Sequence, residues 1–151
     1  MKASFRLPRR TKDRQSNGGE QGIKGMGGPA EFTREKARVL IVDDDLDSAD
    51  VLGELLLSEG HEVAVVHDGV QALARVSTFE PEFVLLDLDL RSDADGREVC
   101  RRLIAASPKK PCIIAMTGAL NSDRKELLET GFDAQVTKPI QVERLLKLLS
   151  G

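Results

Sequence analysis

Five residues have types and spacing that could do chemistry together: Asp43, Asp44, Asp87, Thr117 and Lys138. Each closes a short apolar run. Val39-Leu40-Ile41-Val42 leads into Asp43 and Asp44, Phe83-Val84-Leu85-Leu86 into Asp87, Ile113-Ile114-Ala115-Met116 into Thr117, and Ala134-Gln135-Val136-Thr137 into Lys138. Three carboxylates brought close repel one another, and at least one must rise in pKa unless a cation joins them. Mg²⁺, or Mn²⁺ in its place, resolves that conflict, because it takes oxygen ligands from one or two carboxylates plus phosphate oxygens. A further carboxylate, Asp87, is then left as nucleophile for a phosphoryl group. Phosphoryl transfer also needs positive charge and donors aimed at the equatorial oxygens, which the Lys138 ammonium and the Thr117 hydroxyl supply.

Taken singly, each residue has a plainer job. Asp43, Asp44 and Asp45 can cap a helix, Thr117 can serve a turn, and Lys138 can be a solvated charge. The ordered set, acid pair, acid, Thr, Lys-Pro, is what carries the chemical reading. His61 and His67 flank a short strand and read as turn residues. Cys100 and Cys112 match no metal-ligand spacing and read as reduced core residues.

To bring the five together, the apolar runs must be neighbouring strands. Between them lie amphipathic stretches, the alternation expected of βα units around a parallel sheet. A first helix is expected over 46–58, with Leu46, Ala49, Leu52 and Leu56 as its stripe and Gly60 as its stop, followed by a strand over 62–66. Asp68-Gly69 opens a second helix carrying Val70, Leu73 and Val76 on one face. A third helix holds Val99, Leu103 and Ile104, a fourth is capped by Asn121 or Ser122 and ended by Gly131, and a fifth uses Val142, Leu145, Leu146 and Leu149. Five strands and five helices imply an α/β fold of three layers, α/β/α. In the flavodoxin-like strand order 2-1-3-4-5, strands one and three adjoin at the switch point where such sheets bind ligands, so the three carboxylates converge there.

The chain of 151 residues suits one domain with a real core. Residues 1–38 hold 10 Lys/Arg against 4 Asp/Glu, whereas residues 39–151 hold 12 against 21, so a basic leader precedes an acidic body. The Gly-rich leader, residues 1–36, has too few apolar residues to bury a face and is expected to stay unfolded; residues 37–151 form the folded domain. An acidic body is a poor match for a phosphate backbone. No apolar run is long enough for a membrane span and no secretory h-region opens the chain, which fits a cytoplasmic protein.

The motifs Val39-Leu40-Ile41-Val42-Asp43-Asp44-Asp45, Val84-Leu85-Leu86-Asp87, Ile113-Ile114-Ala115-Met116-Thr117-Gly118 and Thr137-Lys138-Pro139 together resemble the receiver domain of bacterial two-component response regulators, over about residues 37–150. The segments 61–87 and 131–139 are most similar to receivers attached to hybrid histidine kinases. The resemblance implies that Asp87 accepts a phosphoryl group from a phosphohistidine on a sensor kinase or phosphotransfer protein. It implies that Asp43, Asp44, Asp87 and the backbone carbonyl of Asp89 hold Mg²⁺, that Thr117 and Lys138 bind phosphoryl oxygens, and that the bond before Pro139 is cis. It further implies a phosphoacceptor with self-catalysed phosphorylation and autodephosphorylation, not an enzyme, which meets an unidentified downstream protein through its helix four, strand five and helix five face. With no DNA-binding segment after the fifth helix, a monomer or weak homodimer acting through a partner is expected.

Three departures from that family stand out. Gln135 replaces a switch aromatic, the loop from Arg91 to Gly96 lacks a Pro and is one residue longer, and an extra acid, Asp89, lies two residues after Asp87. The missing aromatic motivates an alternative, a phosphate-independent interaction module on the same fold. A haloacid-dehalogenase-type phosphatase shares the Asp87-Leu88-Asp89 pattern, but its further acids belong after the Lys, where only Glu143 is found.

Overall fold

The computed structural model describes residues 36–91, 95–118 and 123–150, so the expectation of an unfolded leader lies outside it. Its elements run β1 (Arg38–Val42), α1 (Leu46–Ser58), β2 (Glu62–Val66), α2 (Gly69–Phe79), β3 (Phe83–Asp87), α3 (Gly96–Ala106), β4 (Cys112–Thr117), α4 (Arg124–Thr130), β5 (Ala134–Thr137) and α5 (Val142–Ser150). All strand pairs are parallel, in the order β2-β1-β3-β4-β5, so the expected three-layer flavodoxin-like architecture is the one found.

The strands are apolar almost throughout because both faces of the sheet are covered. Alternate residues feed two cores, following the period of two along a strand. Leu40, Val42, Val84, Leu86, Ile113 and Ala115 meet Ala72 and Val76 of α2, Val99 and Leu103 of α3, and Leu127 of α4. Val39, Ile41, Phe83, Leu85, Ile114 and Met116 face the other way, onto Ala49, Leu52 and Leu56 of α1 and Leu145 and Leu149 of α5. Cys100 and Cys112 are buried and free, one in each core, and burial pushes both thiols up to about 12.

Two expected stripe residues are exposed. Leu46 has the right spacing on α1 but is 57% exposed, and Gly53 takes a buried place instead, with Val65 so close that an added Cβ would sit 3.1 Å from its Cγ2. Val70 is 68% exposed, while Gly69, Ala72 and Val76 form the buried face of α2. Leu46 lies in the first turn of α1, whereas Val70 is turned about 100° round α2 from the buried Gly69, so the buried stripe of α2 is rotated from the expected one.

Aspartates start four helices. Asp45, Asp68, Asp95 and Asp123 each accept backbone N–H bonds from the first turn of α1, α2, α3 and α4, contacts typically worth about 1 kcal/mol apiece. The expected caps of α4, Asn121 and Ser122, fall outside the described residues, and the cap that is described is Asp123. Among the described residues no helix is long and apolar enough to cross a membrane.

Candidate functional site

The sheet order makes β1 and β3 neighbours, with Val42 in register with Leu86, so the acids that follow emerge side by side. Asp43, Asp44 and Asp87 each present an oxygen within 4.8 Å of the other two. Asp43 and Asp87 are buried, and Asp44 is half-buried. Lys138 reaches across from β5, its Nζ donating to Asp43 Oδ2 at 3.1 Å and to Asp87 Oδ2 at 3.2 Å. Thr117 is buried at the end of β4, one position past Met116, which is in register with Asp87. The structure therefore gathers the acid pair, Asp87 and Lys138 at one end of the sheet, with Thr117 at the adjoining strand end. The Lys138–Pro139 bond is cis.

Each carboxylate in the cluster also takes one backbone N–H. Asp45 N–H donates to Asp43 Oδ1, Asp89 N–H to Asp87 Oδ1, and Arg91 N–H to Asp44 Oδ2, all at 2.9 Å. Two of these are i to i+2 turns that an Asp makes with its own following chain. The third spans 47 residues and ties the loop after β3 to the loop after β1.

The electrostatics follow from this crowding. Burial comes first in raising Asp87; the Asp89 N–H and Lys138 pull it back down, Asp43 pushes it up, and its pKa ends at about 6. For Lys138, burial works against the charged form, but Asp87 and Asp43 outweigh it and the pKa is raised overall. One ammonium thus faces a group of carboxylates that outnumbers it.

A divalent cation is what that imbalance calls for. Asp43, Asp44 and Asp87 bring their carboxylate oxygens near enough to one another for all three to be turned to one ion, and all three are hard donors. The all-oxygen donor set fits Mg²⁺ or Mn²⁺ and gives nothing for a softer metal.

Several contributors escaped the sequence reading. Gly96 packs so tightly on the end of β3 that a Cβ would fall 2.6 Å from the Asp87 carbonyl oxygen and 2.7 Å from Leu88 Cα, so a side chain there would push the loop off the site. Its signal was an Asp-Gly pair at a helix start. His67 is more than a turn residue, for its Nδ1 lies 3.0 Å from the Asp43 carbonyl oxygen. His61, likewise, is buried and accepts the Ala37 N–H on Nδ1, which anchors the start of β1. Arg97, at the head of α3, is paired with Glu126 of α4 at 2.6 Å.

Of the family-derived assignments, Asp89 is exposed and its N–H, not its side chain, meets Asp87. Gln135 is half-buried on β5, in register with Ala115, and its Oε1 is buried without a hydrogen-bond partner among the described residues.

Comparisons with known proteins agree with this geometry. The family model described as "Response regulator receiver domain" matches residues 39–150. Among curated proteins, the response regulator MprA of Mycobacterium avium is 34% identical over 109 residues, 72% of this chain, and the chain spans about half of that relative, 47%. Among solved structures, a CheY-like receiver domain from Methylobacillus flagellatus superposes with a TM-score of 0.69 at 32% identity, covering 76% of this chain and 97% of its own. One from Methanospirillum hungatei superposes at 0.68 with 28% identity, covering 76% and 91%. The strand order, the strand-end residues and these matches agree, and the chain belongs to the response regulator receiver family.

Proposed function

We propose that this chain works in a phosphorelay as a phosphoacceptor, taking a phosphoryl group onto Asp87 from the phosphohistidine of a histidine kinase or phosphotransfer protein. The observation that carries the reading is the Lys138 ammonium set between Asp43 and Asp87 in a cluster with more carboxylates than cations. Asp43, Asp44, Asp87 and the Asp89 carbonyl would hold Mg²⁺, which when bound supplies positive charge for the phosphoryl oxygens.

The chain's own residues do the rest. Asp87, ionised for the most part above its pKa of about 6, forms the new P–O bond as the P–N bond to the donor imidazole breaks, and that imidazole leaves carrying the electron pair and takes up a proton. The Asp89 N–H holds Asp87 Oδ1 and so fixes the carboxylate's direction. Lys138 then has phosphoryl oxygens to bind, and the Thr117 hydroxyl stands at the next strand end to donate to them. The return reaction is hydrolysis of the acyl phosphate, so the chain behaves as a switch that promotes its own loading and unloading, without turnover of a separate substrate. Its output would pass to a partner through the face of α4, β5 and α5, in the cytoplasm where such kinases deliver phosphate.

Incubation with Mg²⁺ and acetyl phosphate, followed by intact mass, tests this. A gain of one phosphate that Asp87→Asn abolishes is expected. No gain at any Mg²⁺ or donor concentration would leave the phosphate-independent module as the reading.

A further inference from the structure

Asp43 and Asp87 are oriented by the chain that immediately follows them, through N–H groups two residues downstream. Asp44 has no such local bond among the described residues. Its Oδ2 is held instead by the backbone N–H of Arg91, on the far side of the cluster. We propose that the Arg91 peptide N–H is the positioning group for Asp44: it fixes one oxygen of this carboxylate so that the other is turned to the cation, and it couples metal binding to the conformation of the loop after β3. The inference rests on the Mg²⁺ reading above.

The side chain of Arg91 is the obvious rival for this role. Its Nε is 4.0 Å from the same Asp44 Oδ2, at the limit of an ion pair, and the side chain is 79% exposed. Exposed pairs of that kind contribute little, because water and salt screen them and two long side chains must be held still. A charge-assisted N–H bond at 2.9 Å from the backbone orders no long side chain on the donor's part. Leu90, next to Arg91, is buried in the core beneath α2 and α3, so the peptide that carries the N–H is anchored from below. The backbone, not the guanidinium, is therefore assigned the role.

The consequence is that Asp44 depends on a bond that only the tertiary fold can make. Groups that orient metal-binding carboxylates from the outside commonly matter 10- to 100-fold in affinity. Proline at position 91 deletes the N–H and the charge, whereas alanine deletes the charge alone.

The test is Mg²⁺ titration of the wild type, Arg91→Ala and Arg91→Pro. The chain has neither Trp nor Tyr, so binding is read by calorimetry or amide shifts. The expected result is a Kd for Arg91→Ala within about twofold of the wild type and a Kd for Arg91→Pro raised about tenfold or more. Equal affinity for Arg91→Pro and the wild type would overturn the proposal, and so would an Arg91→Ala variant as weak as Arg91→Pro, since the guanidinium would then be responsible.

Should Arg91→Pro fail to fold, hydrogen exchange of the Arg91 amide decides. Slow exchange that persists in Asp44→Asn, whose side-chain carbonyl still accepts, and is lost in Asp44→Ala supports the bond; indifference to Asp44→Ala overturns it. A wild type that binds no Mg²⁺ overturns the functional reading instead, and the amide measurement still reports on the bond itself.

Discussion

At the carboxyl ends of β1 and β3 every carboxylate of the cluster has a donor: a backbone N–H for each, and the Lys138 ammonium for Asp43 and Asp87. Two strands away, on β5, the Gln135 amide oxygen is buried with no partner among the described residues. Asp43 and Asp87 are each held by two donors and Asp44 by one. A neutral polar group in the second is under-determined. The proposed phosphoacceptor role needs both, a site rigid enough to align a phosphoryl group and a surface with an alternative arrangement close in free energy. On that proposal, rigidity belongs at the carboxylates and adjustability at the strand before Lys138.

Breaking the rigid region should have the largest effect. Lys138→Ala removes the only ammonium seen between Asp43 and Asp87 among the described residues and leaves those carboxylates facing one another. Phosphorylation by acetyl phosphate, followed by intact mass over time, should slow by about 100-fold or more, as when a preorganised positive or hydrogen-bonding group is taken from a transition state. A loss of less than about threefold would mean that the ammonium is a bystander and that the strand ends are less tightly organised than they look.

The same crowding has a signature in pH. The folded-state pKa of Asp87 is raised from 3.8 to about 6. Well below pH 3.8 the group is protonated whether the chain is folded or not, and its contribution to stability is fully present. As pH rises through about 6 the unfolded chain has already released the proton that the fold still retains, so metal-free stability falls by up to about 3 kcal/mol, at 1.36 kcal/mol per pKa unit. Asp87→Asn cannot titrate. In EDTA it should therefore be more stable than the wild type at pH 7.5 by about 1–3 kcal/mol, with the gap closing near pH 4, as read by urea unfolding. A gap independent of pH would show that Asp87 is not the strained group.

Much of this was legible before folding. Four strand ends, those of β1, β3, β4 and β5, follow from apolar runs closed by Asp43, Asp87, Thr117 and Lys138, because fully covered parallel strands must be apolar and their polar residues can only lie at the ends. The Asp caps at positions 45 and 68 were readable for a similar reason: a cap acts on residues three or fewer positions away. What stayed hidden was non-local or carried by backbone. Arg91 N–H to Asp44 has no side-chain signature, and Gly96 looks like any glycine at a helix start until β3 is laid against it. His61 and His67 read as turn residues because their Nδ1 partners, Ala37 N–H and the Asp43 carbonyl, are each 24 residues away. Leu46 and Val70 went the other way, apolar residues with helical spacing that the packing leaves exposed.

The smallest effect should come from repairing the under-determined region. Gln135→Leu keeps a similar volume and replaces the unpartnered amide with an apolar group, beside Val136 and in register with Ala115, both buried. An acceptor left dry costs about 1–3 kcal/mol, so the metal-free variant should gain about 1 kcal/mol in urea unfolding once lost solvation of the exposed part of the amide is counted. Mg²⁺ affinity should stay within about twofold of the wild type, because none of Asp43, Asp44 or Asp87 makes a hydrogen bond to Gln135 among the described residues. Destabilisation would show that Oε1 has found a partner after all. A shift in Mg²⁺ affinity would be more informative still, since it would mean that β5 is coupled to the carboxylates even without phosphate, and that the two regions form one cooperative unit instead of a rigid site beside an adjustable surface.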